Sequence, residues 1–453
     1  MNLNKQLASA CRLIDRWLAY KVEMGRLPGL SAGIVYQKEV IFQQGYGYAD
    51  IEAGQKTGAT TCYRIASFSK VFTTIAILQL FEQGLLSLDD GILRYLPWFQ
   101  ESKDERAKQI TIRQLLTHTS GLDRDGSTPH WVDLRFPTLE EIRQHVVEGA
   151  MAYAPIEKWK YSNLSYTLLG EIVRSVTGES YEAYVEQNIL QRLALTHTGP
   201  ALNETLLEHL AVGYGRDIPG QPRERLPQID THVMASATGF TSNVADLSRL
   251  IMAQFEGDTT LLKDETKREM RRIQWLREGY SSDWCLGLQT WKVDQRRVYG
   301  HGGSFQGYQS RFSFDPEQQI GVVLLINALD GPATTLADNM VQTINHIIAH
   351  FDEFGESELQ TKDAHRYEGR YRNLWGEIDI AEVNGSLIMY NSGPECPTFD
   401  YYQMQQNPDG NFTLISGNSI GHLGERVRFD FDDQGNPFQV IVGANPSEKI
   451  ADL

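Results

Sequence analysis

The chain has 453 residues, 41% of them hydrophobic and 22% charged, with a formal net charge of -16 and a pI near 5.2. That length supports a large core and more than one domain, and the acidic balance repels nucleic acid and anionic membrane surfaces, so neither is expected as a partner. The cysteines, Cys11, Cys62, Cys285 and Cys396, are scattered and form no CxxC, which leaves no thiol metal site, no redox motif and no disulfide framework.

At the N-terminus, Leu3, Leu7, Ala10, Ile14, Trp17 and Leu18 recur at helical spacing. Charges interrupt the run, so it reads as an amphipathic helix rather than a signal peptide. No stretch reaches the roughly 18 apolar residues of a membrane span, and the default compartment is the cytoplasm. The segment GLSAGIVYQKEVIFQQGYGYAD alternates apolar and polar residues around Lys38 and Glu39 and predicts a β-hairpin. Helices are expected over 68–83, 111–117, 138–150, 163–177, 181–194 and 244–255, with Gly84 and Gly178 as stops. WCLGLQTWKV, RRVYGHGG, YQSRFSFDP and QIGVVLLIN read as four strands, and PATTLADNMVQTINHIIAHFDEF returns to helix. This order fits an α+β fold: an antiparallel sheet flanked by helices, with a helical lobe at about 67–280 inserted in it.

A polar, aperiodic stretch, GESELQTKD, at 355–363 marks a boundary between a domain at 1–355 and a second at 364–453. Beyond it, YEGRYRN, EIDIAEV, SLIMYN, NFTLISG, RVRFDFD and FQVIVG are strand candidates. Turn signals separate them at Asn384–Gly385, 407–411 and 433–437. The expectation is a small all-β barrel or sandwich.

Three short patterns carry chemistry. Ser67-Phe68-Ser69-Lys70 is S-x-x-K at the start of an apolar helix. Residues i and i+3 share a helix face, roughly 5–6 Å apart between Cβ atoms. The first turn aims free N–H groups and the positive dipole end at developing negative charge. A buried Lys70 can lose its proton and act as base; the plainer reading is a capping serine and a solvated lysine. Tyr161-Ser162-Asn163 is Y-x-N ahead of another helix, where a phenol can relay a proton and an amide can hold the lysine. His301-Gly302-Gly303-Ser304 leads into a glycine-rich strand whose bare backbone can meet a substrate and supply an oxyanion donor. Each pattern is cheap alone. Tyr371-Arg372-Asn373 also fits Y-x-N, and His422-Leu423-Gly424 also fits H-x-G.

Their order and placement at element junctions are not cheap. Together with PGLSAGIVYQKEVIFQQGYGYAD, YRIASFSK, LLTHTSGL, YSNLSYTLLGEIVRSVTG and GHGGSFQGYQSRFSFDPEQQIGVVLLIN, the chain resembles the serine β-lactamase and penicillin-binding-protein superfamily over residues 25–350. The branch it looks most like holds class C β-lactamases, D-aminopeptidases and esterases. The resemblance implies Ser67 as nucleophile, Lys70 and Tyr161 as the acid–base pair, Asn163 orienting them, and the N–H groups of Ser67 and Ser304 as oxyanion hole. Gly302 and Gly303 would line the substrate strand. His301 stands where β-lactamases carry the lysine of K-T-G; a histidine partly charged at neutral pH shifts the expectation toward an esterase or a peptidase of D-residue substrates. A β-lactamase or a non-turnover penicillin-binding sensor is the alternative. No cofactor or metal is implied, and the substrate would be a small molecule or short peptide. YEGRYRN…GEIDIAEVNGSLIM resembles the lipocalin-like barrel that follows this domain in some relatives, where it could shape access, build a homo-oligomer or simply stabilise.

Other matches favour structural roles. Gly29-Leu30-Ser31-Ala32-Gly33 fits G-x-S-x-G, but a strand rather than a helix follows Ser31. His118 sits after a helix and suits packing. His346 and His350 lack a third metal ligand, and DFDDQGN lacks full calcium-loop spacing. Trp98, Trp131, Trp159 and Tyr308 suit either a cleft or the core.

Overall fold

The computed structural model describes residues 3–356, 359–393, 396–417 and 421–450. Part of the expected boundary stretch, 357–358, lies outside the described residues, as do the chain ends of the two expected domains. Two compact units emerge: Arg26–Ala337, and Met1–Gly25 together with Asp338–Leu453. The division thus falls before the expected boundary and assigns the first helix and most of the last domain-one helix to the barrel unit.

In the first unit, β1 (Gly29–Tyr36), β2 (Glu39–Asp50) and β3 (Gln55–Lys56) precede the helical region. Within that region lie two short pairs: β4 (Tyr63–Arg64) with β7 (Thr241–Ser242), and β5 (Gly213–Tyr214) with β6 (Arg225–Leu226). After it come β8 (Ser282–Trp284), β9 (Gln289–Val293), β10 (Arg296–Phe305), β11 (Tyr308–Asp315) and β12 (Ile320–Ile326). The main sheet has the order β3-β2-β1-β12-β11-β10-β9-β8, antiparallel throughout. The expected hairpin turns at Gln37, which takes a positive φ, and Lys38; Glu39 already belongs to β2. WCLGLQTWKV makes two strands, β8 and β9, because the turn at Gly287 reverses the chain. Its φ is +65°, and a Cβ there would lie 1.9 Å from Thr74 Oγ1, so only glycine lets this turn press against the helix carrying Thr74.

The helices are α1 (Leu3–Met24), α2 (Ser69–Glu82), α3 (Ile112–Leu116), α4 (His130–Asp133), α5 (Leu139–Gly149), α6 (Asn163–Thr177), α7 (Tyr181–Val185), α8 (Glu204–His209), α9 (Val244–Met252), α10 (Asp264–Arg271) and α11 (Ala333–Phe354). Local chemistry sets their ends. Thr111 with Gln114, and Thr138 with Glu141, form capping boxes that start α3 and α5. Ser162 caps α6, and Gly178 at φ 77° ends it. α2 is buried without interruption from Ser69 to Leu80, so every side of it is packed and Lys70 is fully enclosed.

In the second unit, β13 (Gly369–Asn373), β14 (Gly376–Val383), β15 (Ser386–Asn391), β16 (Tyr401–Gln406), β17 (Phe412–Gly417), β18 (Arg426–Phe431), β19 (Pro437–Val442) and β20 (Asn445–Ile450) close into a barrel. Six of these strands are the ones the sequence predicts. β16 and β20, YYQMQQ and NPSEKI, carry glutamine, proline and charge in place of alternating apolar residues, which hides them. Asn384 and Gly385 both take positive φ at the β14–β15 turn, as a type I′ hairpin requires. Tyr371, Ile380, Met389, Tyr402, Met404, Phe412, Leu414, Val427 and Phe429 pack as one buried cluster that fills the interior. On the outward face, Asp379 is fully buried. It accepts from Arg16 at 3.2 Å, from Arg370 at 3.1 Å and from the Ser392 hydroxyl, so α1 is tied to β13 and β14 across the whole length of the chain. Removing one partner of a buried charge cluster strands the others. Asp379→Ala is expected to lower the stability of this unit by about 3–5 kcal/mol in urea unfolding, while the more exposed Asp430→Ala changes it by less than about 0.5 kcal/mol.

Candidate active site

The chain leaves β4 through Ile65, turns at Ala66 and enters a short 3₁₀ turn, Ala66–Phe68, that runs into α2. Ser67 therefore lies in this turn, two residues ahead of the α-helix proper. Ala66 has φ 51°, a left-handed conformation that costs a non-glycine residue roughly 1–2 kcal/mol. The turn is pinned on three sides. Ser69 Oγ donates to Ala66 O at 2.5 Å and accepts from Phe240 N at 3.0 Å. Ile65 N donates to Phe240 O at 2.9 Å, and Ser310 Oγ donates to Ile65 O at 2.8 Å. Gly303 makes the last contact possible: a Cβ there would stand 2.0 Å from Ile65 O. Ser67 itself is half-buried among buried neighbours.

Lys70 is fully buried. Its Nζ donates to Asn163 Oδ1 and to Ala237 O, both at 2.7 Å, and lies 3.3 Å from Ser67 Oγ. Burial holds its pKa well below that of an ordinary lysine; Asp125 opposes the shift and Arg124 adds to it. A neutral amine has two N–H bonds and one lone pair, so with both donors committed the lone pair faces Ser67. The Tyr161 hydroxyl donates to Ser67 Oγ at 2.7 Å. Burial raises the Tyr161 pKa, and the bond to Ser67 only partly offsets this, so the phenol keeps its proton. Asn163 Nδ2 donates to Asp125 Oδ1 at 2.6 Å, which fixes the amide with its oxygen toward Lys70. The Arg124 carbonyl accepts from the backbone N–H groups of Asn163 and Leu164 at 2.7 and 3.1 Å, so the 123–125 loop is locked to the start of α6.

His301 lies on β10 with Gly302, Gly303 and Ser304. β9 pairs with β10 only as far as Gly300, so 301–305 pair with β11 alone among the described strands. His301 is 2% exposed, and burial, reinforced by Lys70, takes its pKa down to about 3. Burial therefore favours the neutral imidazole at neutral pH over the partial charge expected of a free histidine. Its Nδ1 stands 2.5 Å from Gly302 O, which places the proton on Nδ1 and leaves Nε2 a bare acceptor. Ser304 is exposed, and its Oγ accepts from Gln309 at 2.8 Å.

Four groups with no sequence signal of their own complete the site: Asp125, the Ala237 carbonyl, Arg124 and Trp284. They come from loops and turns whose spacing to S-x-x-K follows no motif. His118 does more than pack. Its Nδ1 accepts from Ser162 N at 3.1 Å, and its ring lies 4.3 Å from that of Tyr161 and 4.7 Å from that of Trp284. Trp159 stands in the same aromatic cluster, whereas Tyr308 is buried elsewhere, donating to Ala211 O. Trp131 packs with His130, Phe136 and Phe305, and Trp98 on Phe99. The remaining matches fall away from this geometry. Ser31 is buried in β1, bonded to Gly58 O and Tyr63. Tyr371 fills the barrel and His422 bonds Tyr402. Among the described residues no cluster of three or more ligating side chains is suited to a metal.

The family model described as Beta-lactamase matches residues 14–344. The chain belongs to the beta-lactamase family. Protein flp of Staphylococcus aureus strain MRSA252 is 30% identical over 339 residues, 74% of this chain and 66% of that protein, so the chain spans just under two thirds of this curated relative. The octameric penicillin-binding protein homologue from Pyrococcus abyssi is similar over 96% of this chain and 99% of its own, with TM-score 0.65 and 22% identity. The D-amino acid amidase from Ochrobactrum anthropi SV3 covers 75% of this beta-lactamase-family chain and 99% of its own, with TM-score 0.65 and 24% identity. At these identities the two structures speak to fold. The first extends that likeness through the barrel.

The Asp125 carboxylate accepts from the Asn163 amide that holds Lys70 and also pairs with Arg124 at 3.1 Å. Asp125→Asn is expected to lower kcat with little change in KM, by part of the about 10²–10⁴-fold that acid–base catalysis supplies, and to shift the pH dependence of acylation. A loss confined to KM would assign Asp125 to substrate binding instead.

Proposed function

We propose that the protein is a metal-free serine hydrolase that works through an acyl-enzyme on ester or amide bonds of small molecules or short peptides, D-residue peptides among them. The observation that carries this reading is the triangle of Ser67 Oγ, Lys70 Nζ and Tyr161 OH, in which both other donors of a neutral Lys70 are already committed. Lys70 takes the Ser67 proton as Oγ attacks the carbonyl carbon. Tyr161, held protonated, hands its proton to the leaving group and is recharged from Lys70; water then attacks the ester by the same route in reverse. The backbone supports an oxyanion hole. The ladder alternates, so counting back from the two-residue turn Gln306–Gly307 directs the Ser304 N–H away from β11, into the open side of β10 next to the nucleophile turn. Losing one such donor typically costs about 10²–10³ in rate.

A neutral His301 supplies no fixed cation for a substrate carboxylate on β10. That favours esters and amides over β-lactams, and it leaves the penicillin-binding sensor as a reading that differs only in deacylation.

Ser67→Ala is expected to abolish turnover and covalent labelling by a fluorophosphonate with folding intact; labelling that persists in this variant refutes the assignment. A panel of p-nitrophenyl esters, D- and L-aminoacyl amides and nitrocefin should show steady-state release from esters or amides. A burst without release marks a sensor, and nitrocefin as the best substrate marks a β-lactamase. The rate of acylation should rise with pH as Lys70 loses its proton, levelling off well below the ordinary lysine pKa of 10.5. Over about pH 5–8, where a free histidine changes charge, His301→Gln should add or remove no limb of that profile, because His301 is neutral down to about 3.

A further inference from the structure

Three residues before the nucleophile, Arg64 is 1% exposed, and its Nε and Nη2 have no hydrogen-bond partner among the described residues. These two nitrogens share one edge of the guanidinium, the edge that grips an anion side-on with two parallel N–H bonds. The flat face of the group is already used: it lies 4.7 Å from the centre of the Phe305 ring. The neighbouring groups whose charge reaches Arg64 are Asp230 and Tyr308, and both are engaged elsewhere. The Asp230 side chain is 61% exposed and turned to His232, whose backbone N–H and ring it meets. The Tyr308 hydroxyl donates to Ala211 O and accepts from Gln228.

A second orphan faces the same way. Thr241 stands directly opposite Arg64 in the β4–β7 pair, is fully buried, and its Oγ1 has no partner among the described residues. Opposed residues of an antiparallel pair share a face, with Cβ atoms about 4.5–5.5 Å apart. A guanidinium edge and a hydroxyl on the same face of one strand pair are thus both buried without a hydrogen-bond partner among the described residues, an arrangement that is costly unless something compensates it.

We propose that Arg64 and Thr241 form a buried site for a small monoanion, chloride or a formate-sized carboxylate, behind the nucleophile turn. The anion accepts from Arg64 Nε and Nη2 and from the Thr241 hydroxyl. Both residues are buried from solvent, so only a small ligand is proposed there. Arg64 leads directly into Ile65 and Ala66, so occupancy ties β4 to β7 where the strained turn begins.

Thermal unfolding of the full chain tests this in sodium gluconate, whose anion is too large for the proposed site, against chloride, bromide or formate at equal ionic strength. The small anions should raise Tm saturably by a few degrees, Arg64→Gln should remove the dependence, and Thr241→Val should weaken it. In a bromide-soaked crystal of the unaltered protein, an anomalous peak should lie against the Arg64 Nε–Nη2 edge and fade on adding formate, which needs no variant to fold. Equal Tm in all four salts with no bromide peak would mean that water fills the spot, and would overturn the proposal.

Discussion

The candidate site rests on the burial of one amine. Lys70 sits on a helix that is buried on every side, and it is itself fully buried. An ammonium there would need three acceptors and a counter-charge. The structure offers three oxygens, Asn163 Oδ1, the Ala237 carbonyl and the Ser67 hydroxyl, and the nearby Asp125 carboxylate, which bonds Asn163 and not Lys70, offsets only part of the burial cost. Desolvation therefore favours the neutral amine, and in that form the same two acceptors leave its lone pair for Ser67 Oγ. Lowered pKa and aim come from a single constraint, and on the proposed function that is what would let a lysine do work usually given to histidine.

The surroundings serve that constraint. Gly303 lets β10 touch the nucleophile turn, and Gly287 lets the β8–β9 turn touch α2. Trp284, Trp159, His118 and Tyr161 form a wall of rings beside Lys70 that keeps the local dielectric low. Burial lowers the pKa of His301 as it lowers that of Lys70, and the Lys70 charge lowers that of His301 further. A fixed positive charge at 301 would make deprotonation of Lys70 easier still, but it would also bring a demand for a counter-ion that a carboxylate substrate fills. The neutral imidazole leaves the strand as an acceptor and backbone surface.

Most of the fold could be read from local pattern. α6 shows its Ser162 cap and its Gly178 stop in the sequence, and the β14–β15 turn shows its Asn384–Gly385 pair, because caps and turns depend on side chains within a few residues. β16 and β20 could not be read in this way. They are held by closure of the barrel, a long-range constraint that glutamine, proline and charge do not advertise. The site divides similarly. Ser67, Lys70, Tyr161 and Asn163 announce themselves by spacing, since pairs three residues or fewer apart must be neighbours. Asp125, the Ala237 carbonyl and Trp284 are brought in by loop packing, and a backbone carbonyl has no sequence identity at all. The charge state of His301 was hidden too, because it depends on burial from both sides rather than on residue type.

The protonation state of Lys70 in the resting protein is the quantity on which this account stands. Labelling lysine with 13C at Cε, assigning the Lys70 resonance by its loss in Lys70→Met, and following its shift against pH would read that state directly. The account predicts the shift of a neutral amine at neutral pH, with protonation appearing only on acidification. An ammonium shift that persists up to the ordinary lysine range would contradict it.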